Sequence, residues 1–157
     1  MTGPDNSQVV AEFRANGGQL GGPLAGTPVL LLHHVGARTG ARRVTPLVYS
    51  CHAGDRVVVV ASNGGEPSDP AWLHNLRSHP DAAVEIGTDV VAVHAAEAGG
   101  VERDELWKEV VARYPDVGRF GARTDRPIPL VVLRRGGAGV RLCGVRSGSD
   151  SNRGRRT

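Results

Sequence analysis

A chain of 157 residues with 39% hydrophobic and 22% charged residues has the size of one globular domain with a proper core, and is short for two. Aromatics make up only 4% against 22 Gly and 10 Pro, so the core must come from Val, Leu and Ala with turn-rich connections, which argues against a long-helix bundle. The net charge of +3 and pI near 9.4 arise at the C-terminal end, where Arg134, Arg135, Arg141, Arg146, Arg153, Arg155 and Arg156 face one acid, Asp150; the remainder is slightly acidic, so the high pI is poor evidence for a nucleic-acid-binding fold, which would need a basic face on the domain itself.

The first residues carry neither a basic nor an apolar leader segment, and no apolar run is long enough to cross a bilayer, so a soluble, cytoplasmic protein is expected. Residues 5–16 read as a short helix with Val9, Val10 and Phe13 on one face, a lid or a weak membrane anchor. A Gly-rich stretch, 17–26, precedes an apolar strand at 29–32. The turn 36–40 leads to a second strand at 44–51, and a turn at 52–55 leads to a third at 56–61, a β-hairpin. After the glycine loop 62–65, Asp69 as N-cap and Pro70 as first residue predict a helix over 70–78, stopped by Pro80. Residues 83–86 and 90–96 alternate as a second hairpin. Leu106, Val110 and Val111 mark an amphipathic helix over 102–114, stopped by Pro115, and 128–133 reads as the closing strand.

Six short strands, mostly in hairpins, with helices inserted late, predict an α+β protein: a small antiparallel barrel with external helices. The domain plan is an N-terminal helix over 1–19, a barrel over 20–135 and a disordered basic tail over 136–157, with at most a weak strand at 140–145.

Among the chemistry-bearing residues, His33 and His34 adjoin on a strand and so face opposite sides, and His74 and His79 are five apart around Pro80; neither spacing chelates, and no metal site is expected. Cys51 and Cys143 lie far apart with no C-x-x-C, so neither a disulfide framework nor a zinc ribbon can be argued, and a reducing compartment fits best. No phosphate-loop or dinucleotide fingerprint is present. The segment Gly36-Ala37-Arg38-Thr39-Gly40-Ala41-Arg42-Arg43 offers guanidinium forks, a hydroxyl and backbone N–H groups to an anion, against the plainer reading of a solvated basic turn. Ser62-Asn63-Gly64-Gly65, followed by the helix start at Asp69-Pro70-Ala71-Trp72, offers more N–H donors and an aromatic ring; taken alone, Trp72 reads as core.

Three ordered motifs, HHVGARTGARRVTPLVY (33–49), ASNGGEPSDPAWLHNL (61–76) and RTDRPIPLVVL (123–133), together resemble the deazaflavin-dependent nitroreductase family, over residues of about 20–133. The resemblance implies a flavin-reductase-like split β-barrel that uses coenzyme F-420, an 8-hydroxy-5-deazaflavin, and passes hydride to a quinone, nitro or enone acceptor. By that resemblance Arg38, Thr39 and Arg43 meet the anionic cofactor tail, Pro46, Leu47 and Val48 contact the ring through their backbone, and Ser62, Asn63, Gly64 and Gly65 lie near the phosphate. Pro70, Trp72 and Asn75 then close over the cofactor, and Ser62 or Tyr114 gives a proton or hydrogen bond to the reduced acceptor. The chain departs from the family at Ala37 and Asn63, where many relatives have basic residues, and at Val117 and Phe120, where nitro-reducing members have tyrosines. The rival expectations are an FMN or haem protein on the same barrel, or a carrier of deazaflavin or fatty acid without turnover; a homodimer is allowed for and a nucleic-acid partner is not expected.

Overall fold

The computed structural model describes residues 6–62, 68–122, 127–136 and 142–143, with the side chains of Pro23, Phe120 and Gly121 left aside. Helix α1 (Asn6–Ala15) is followed by a one-turn 3-10 segment (Gly22–Leu24) and by strands β1 (Val29–Val35), β2 (Arg42–His52) and β3 (Arg56–Val60). Then come α2 (Ala71–Ser78), β4 (Asp81–Ile86), β5 (Asp89–Glu97), α3 (Gly100–Arg113), α4 (Pro115–Ala122) and β6 (Leu130–Arg135). The six strands close into an antiparallel barrel in the order β1-β2-β3-β6-β5-β4, as the hairpin pattern predicts.

Strand alternation divides the apolar residues into layers. Leu30, Leu32, Val57, Val59, Val84, Ile86, Val93, Val131 and Leu133 fill the barrel, and Trp72, Leu73 and Leu76 of α2 belong to the same cluster, so α2 plugs the interior with its apolar face. On the outside, Val9 and Phe13 of α1 pack with Leu20, Val29 and Leu31. Val9 and Phe13 of α1 are therefore covered by the barrel, with Val10 partly buried beside them. A second outer layer joins Leu106 and Val110 of α3 to Val58, Leu130 and Val132, with Tyr114 and Val117 at its edge.

Several boundaries differ from expectation. Pro115 ends α3 but also opens α4, because its fixed φ and missing N–H suit the first turn of a helix. Pro70 rather than Asp69 is the N-cap residue of α2, with no side-chain cap bond; the Asp69 carboxylate instead accepts a hydrogen bond from Arg77 at 3.1 Å. The tail is not wholly detached. Leu142 is buried in the barrel cluster, the N–H groups of Leu142 and Cys143 donate to the Asp55 carboxylate at 3.0 and 2.7 Å, and Cys143 is disulfide-bonded to Cys51. A separation of 92 residues hides that pairing from sequence spacing.

β2 is the longest strand, and its pairing is uneven. Residues 42–48 pair only with β1, whereas β3 begins its pairing at Tyr49↔Val59. The barrel is thus split along the β3-facing edge of β2's first half. The Tyr49 N–H donates to Pro28 O on the β1 side, so antiparallel alternation turns the carbonyls of Pro46 and Val48 and the Val48 N–H toward the open edge. A proline is tolerated there because an edge strand can lack a donor.

Candidate functional site

Two clefts adjoin β2. The first, of about 530 Å³, lies between the outer face of β2 and β3 and the α3–α4 corner; its walls include Pro46, Leu47, Val48, Ser50, Ser62 and Tyr114, with Val58, Val60 and Val117 adding apolar surface. The Tyr114 hydroxyl donates to the Tyr49 carbonyl at 2.9 Å, and burial pushes its pKa above the ordinary phenol value. Its proton is therefore both committed and held tightly, so Tyr114 is better suited to shaping the wall than to giving up a proton. Ser62 is half-buried in the same wall.

The second cleft, of about 750 Å³, lies between the β1–β2 turn and the outer side of α2, and is lined by Gly36, Ala37, Arg38, Thr39, Arg43, His74 and Asn75 among others. Among the described residues no carboxylate lines it and neither Arg38 nor Arg43 has an ion-pair partner, whereas nearby Arg77 is held by Glu97 and Asp69. The turn is tightly built. Gly36 N–H donates to Ala41 O at 2.8 Å, Gly40 N–H to Gly36 O at 2.9 Å, and Ala41 N–H to the Thr39 hydroxyl at 3.1 Å. Gly40 has φ +73°, which glycine adopts without strain, and a Cβ on Gly36 would sit 2.9 Å from Thr39 Oγ1.

Asn75 fixes this turn from below. It is buried; its Oδ1 accepts the Ala37 N–H at 2.9 Å and its Nδ2 donates to His34 Nδ1 at 3.0 Å. His34 Nε2 then carries the proton and donates to Thr45 Oγ1 at 2.8 Å, which fixes the tautomer. Burial first, then the charges of Arg43 and His33, lower the His34 pKa. His33 points to the opposite side and meets Glu85 at 2.6 Å, so both strand histidines are engaged within the protein.

The expected site residues thus fall into groups. Pro46, Leu47, Val48, Ser62 and Tyr114 come together at the first cleft, and Arg38, Thr39, Arg43 and Asn75 at the second. Trp72 is placed in the barrel interior and Pro70 is buried at the start of α2; neither lines these two clefts. Asn63, Gly64 and Gly65 lie outside the described residues.

The donor set suits a long anionic cofactor with a planar ring. An open strand edge with both N–H and C=O groups in an apolar cleft matches the polar rim of a heterocycle, and Arg43 lies only three residues, about 10 Å, along β2 from Pro46. An unpaired basic turn matches phosphate or carboxylate groups carried at that distance. Fold and site together define a split-barrel oxidoreductase.

The F420H(2)-dependent quinone reductase family model matches residues 6–135, and the chain belongs to this family. Its cofactor is coenzyme F-420. It is 39% identical over 132 residues, 80% of this chain and 86% of the relative, to an F420H(2)-dependent quinone reductase of Mycobacterium tuberculosis. Among solved structures it is similar to an F420-H2 dependent reductase at TM-score 0.62 and 34% identity, covering 68% of this chain and 94% of that one. It is also similar to a structure described as a domain-swapped dimer at TM-score 0.65 and 30% identity, covering 82% and 93%.

Proposed function

We propose that this protein reduces quinones with the reduced deazaflavin, binding the ring at the open edge of β2 and the anionic tail at the turn that carries Arg38 and Arg43. The observation that carries the reading is the placement of an apolar cleft and a groove lined by Arg38 and Arg43 at successive positions of one strand. When bound, the cofactor supplies a hydride to the acceptor.

The protein's part is placement. Pro46, Leu47 and Val48 offer backbone groups that orient the ring, while Val58, Val60 and Val117 exclude water from the surface where the acceptor stacks. Holding donor and acceptor about 3–3.5 Å apart in an apolar cleft supplies much of the acceleration. Arg38 and Arg43 anchor the tail by charge-assisted hydrogen bonds, and the Thr39 hydroxyl, an acceptor for Ala41 N–H, keeps its own proton to donate. Ser62 hydrogen-bonds the acceptor oxygen. The relative described as a domain-swapped dimer supports pairing of two copies in solution.

Purified protein is mixed with reduced deazaflavin and menadione, and deazaflavin oxidation is followed by absorbance, with nitroaromatic and enone acceptors alongside. Turnover with the quinone supports the reading. Tight deazaflavin binding without turnover on any acceptor would replace it with a carrier function, and preferential binding of FMN or haem in competition would replace the cofactor.

A further inference from the structure

A hydrogen-bonded chain that the reaction so far leaves unused runs from the ring cleft to the surface. Ser50 lines the cleft; its Oγ lies 2.7 Å from His52 Nε2, and His52 Nδ1 lies 2.5 Å from Glu109 Oε1. Ser50 and His52 are two residues apart on β2 and so share its outer face, over which α3 brings Glu109. The His52 side chain is fully buried while that of Glu109 is 50% exposed, so a buried imidazole is tied to water through one carboxylate.

We infer that Ser50, His52 and Glu109 form a proton relay to the acceptor, an extension of the proposed quinone reductase reaction. Hydride addition to a quinone leaves a hydroquinone monoanion, which needs one proton. Ser50 gives its hydroxyl proton to that anionic oxygen as His52 Nε2–H replaces it, so the O–H bond formed on the product is balanced by the N–H bond lost from the imidazolium. Glu109 accepts from Nδ1–H throughout, stabilising the charged ring before transfer and fixing the neutral tautomer after it. The imidazole regains its proton from water when the product leaves, and the proton released on oxidation of the cofactor ring goes to solvent, so charge and atoms balance. Ser50 touches the acceptor; His52 and Glu109 are positioning residues acting through it.

The surroundings of His52 favour this use. From α3, Glu109 faces it and Arg113 is turned to the Cys51 carbonyl at 2.7 Å; from β3, Arg56 is held by Glu102 at 2.7 Å, and Glu102 also receives Arg134 of β6. Asp55, in the turn after β2, is occupied by the Leu142 and Cys143 amides. The only carboxylate on the imidazole among the described residues is therefore Glu109. The hydrogen bond with His52 keeps the Glu109 carboxyl below its ordinary value; burial opposes it, and the charges of His52, Arg113 and Arg56 act with the hydrogen bond, so the group stays ionised.

The test uses wild type, Ser50→Ala, Glu109→Gln and Glu109→Asp, with three readouts: kcat against pH with menadione, cofactor affinity by fluorescence titration, and His52 ring titration by NMR in cofactor-free protein. A general acid contributes roughly 100-fold or more. Ser50→Ala is expected to lower kcat about 100-fold with cofactor affinity within about twofold, and to flatten the basic limb of the profile. Glu109→Gln should lower kcat about 10-fold, move that limb to lower pH and move the NMR titration of His52 the same way, with Glu109→Asp restoring most of both. Wild-type kcat and pH profile in Ser50→Ala and Glu109→Gln, or an NMR titration that Glu109→Gln leaves in place, would overturn the relay while leaving the reductase reading standing. Absence of wild-type turnover on quinones would overturn both.

Discussion

Asn75 is the residue on which the basic groove depends most, and Asn75→Ala separates a positioning role from direct cofactor contact. The substitution removes the 2.9 Å bond from Ala37 N–H and the 3.0 Å bond to His34 Nδ1. Ala37 is exposed, so water can replace its partner and the cost there is about 0.5–1 kcal/mol, but His34 is buried and loses the Asn75 donor to its Nδ1, about 1–2 kcal/mol more. A total of about 1.5–3 kcal/mol lowers the melting temperature by roughly 3–12 °C in a domain of this size, measured by calorimetry. Cofactor affinity, titrated well below the melt, should weaken about 3- to 10-fold because the turn that carries Arg38 loosens. If that is the cause, Arg38→Ala must cost less in the Asn75→Ala background than in wild type, a coupling that a double-mutant cycle reads directly. A melt within 1 °C of wild type would refute the energetic argument, and strictly additive losses of affinity would refute the positioning role.

Arg38→Ala and Arg43→Ala should each raise KM for the reduced deazaflavin about 10-fold with kcat at saturation largely kept, as uniform binding requires, and wild-type affinity should fall with added salt more steeply than that of either variant; salt-independent, unchanged affinity would return the turn to a solvated loop. Truncation after Arg135 removes Leu142 from the core, two amides from Asp55 and the disulfide partner of Cys51, so at least about 2–4 kcal/mol of stability should disappear, visible as a lower denaturant midpoint; an unchanged midpoint would show that residues 142–143 contribute nothing to the fold. His34 has a folded pKa below its unfolded value near 6.5, so the folded chain binds its proton less readily than the unfolded one. Its contribution to stability is complete above about pH 6.5 and declines as pH falls below that, so thermal melts taken from pH 7 to 5 should drop in wild type more than in His34→Gln.

The barrel was legible because its strands advertise themselves. Val29-Leu30-Leu31-Leu32 and Val57-Val58-Val59-Val60 are apolar on both faces, and the structure shows why: the inner side of each faces the barrel and the outer side is covered by α1 or α3. Boundaries were harder where polar residues extend a strand without burial. Arg42 and Arg43 belong to β2 through pairing with Val35 and His34, which no local pattern signals. α4 was hidden because a proline was read only as a stop, and the docking of Leu142 and Cys143 because two residues in a Gly- and Arg-rich segment carry no periodicity.

The site was legible to the extent that it is local. The turn 36–43 and the segment 46–48 are each continuous in sequence; glycine and arginine mark the turn as a candidate anion site, while the part expected of 46–48 comes from the family resemblance. Trp72, which taken alone reads as core, is core: the apolar face of α2 carries it into the barrel cluster, and its expected place over the cofactor came from the resemblance. Ser50-x-His52 carries a signal in hindsight, since residues two apart on a strand share a face. Its completion by Glu109, 57 residues beyond His52 on a helix, depends on how α3 lies across β2 and β3, and the chain's linear order holds no trace of that crossing. What the split contributes is asymmetry: β3 starts to pair only at Tyr49, so the same strand that is closed at Ser50 and His52, the residues of the proposed relay, is open at Pro46 and Val48, the proposed ring site.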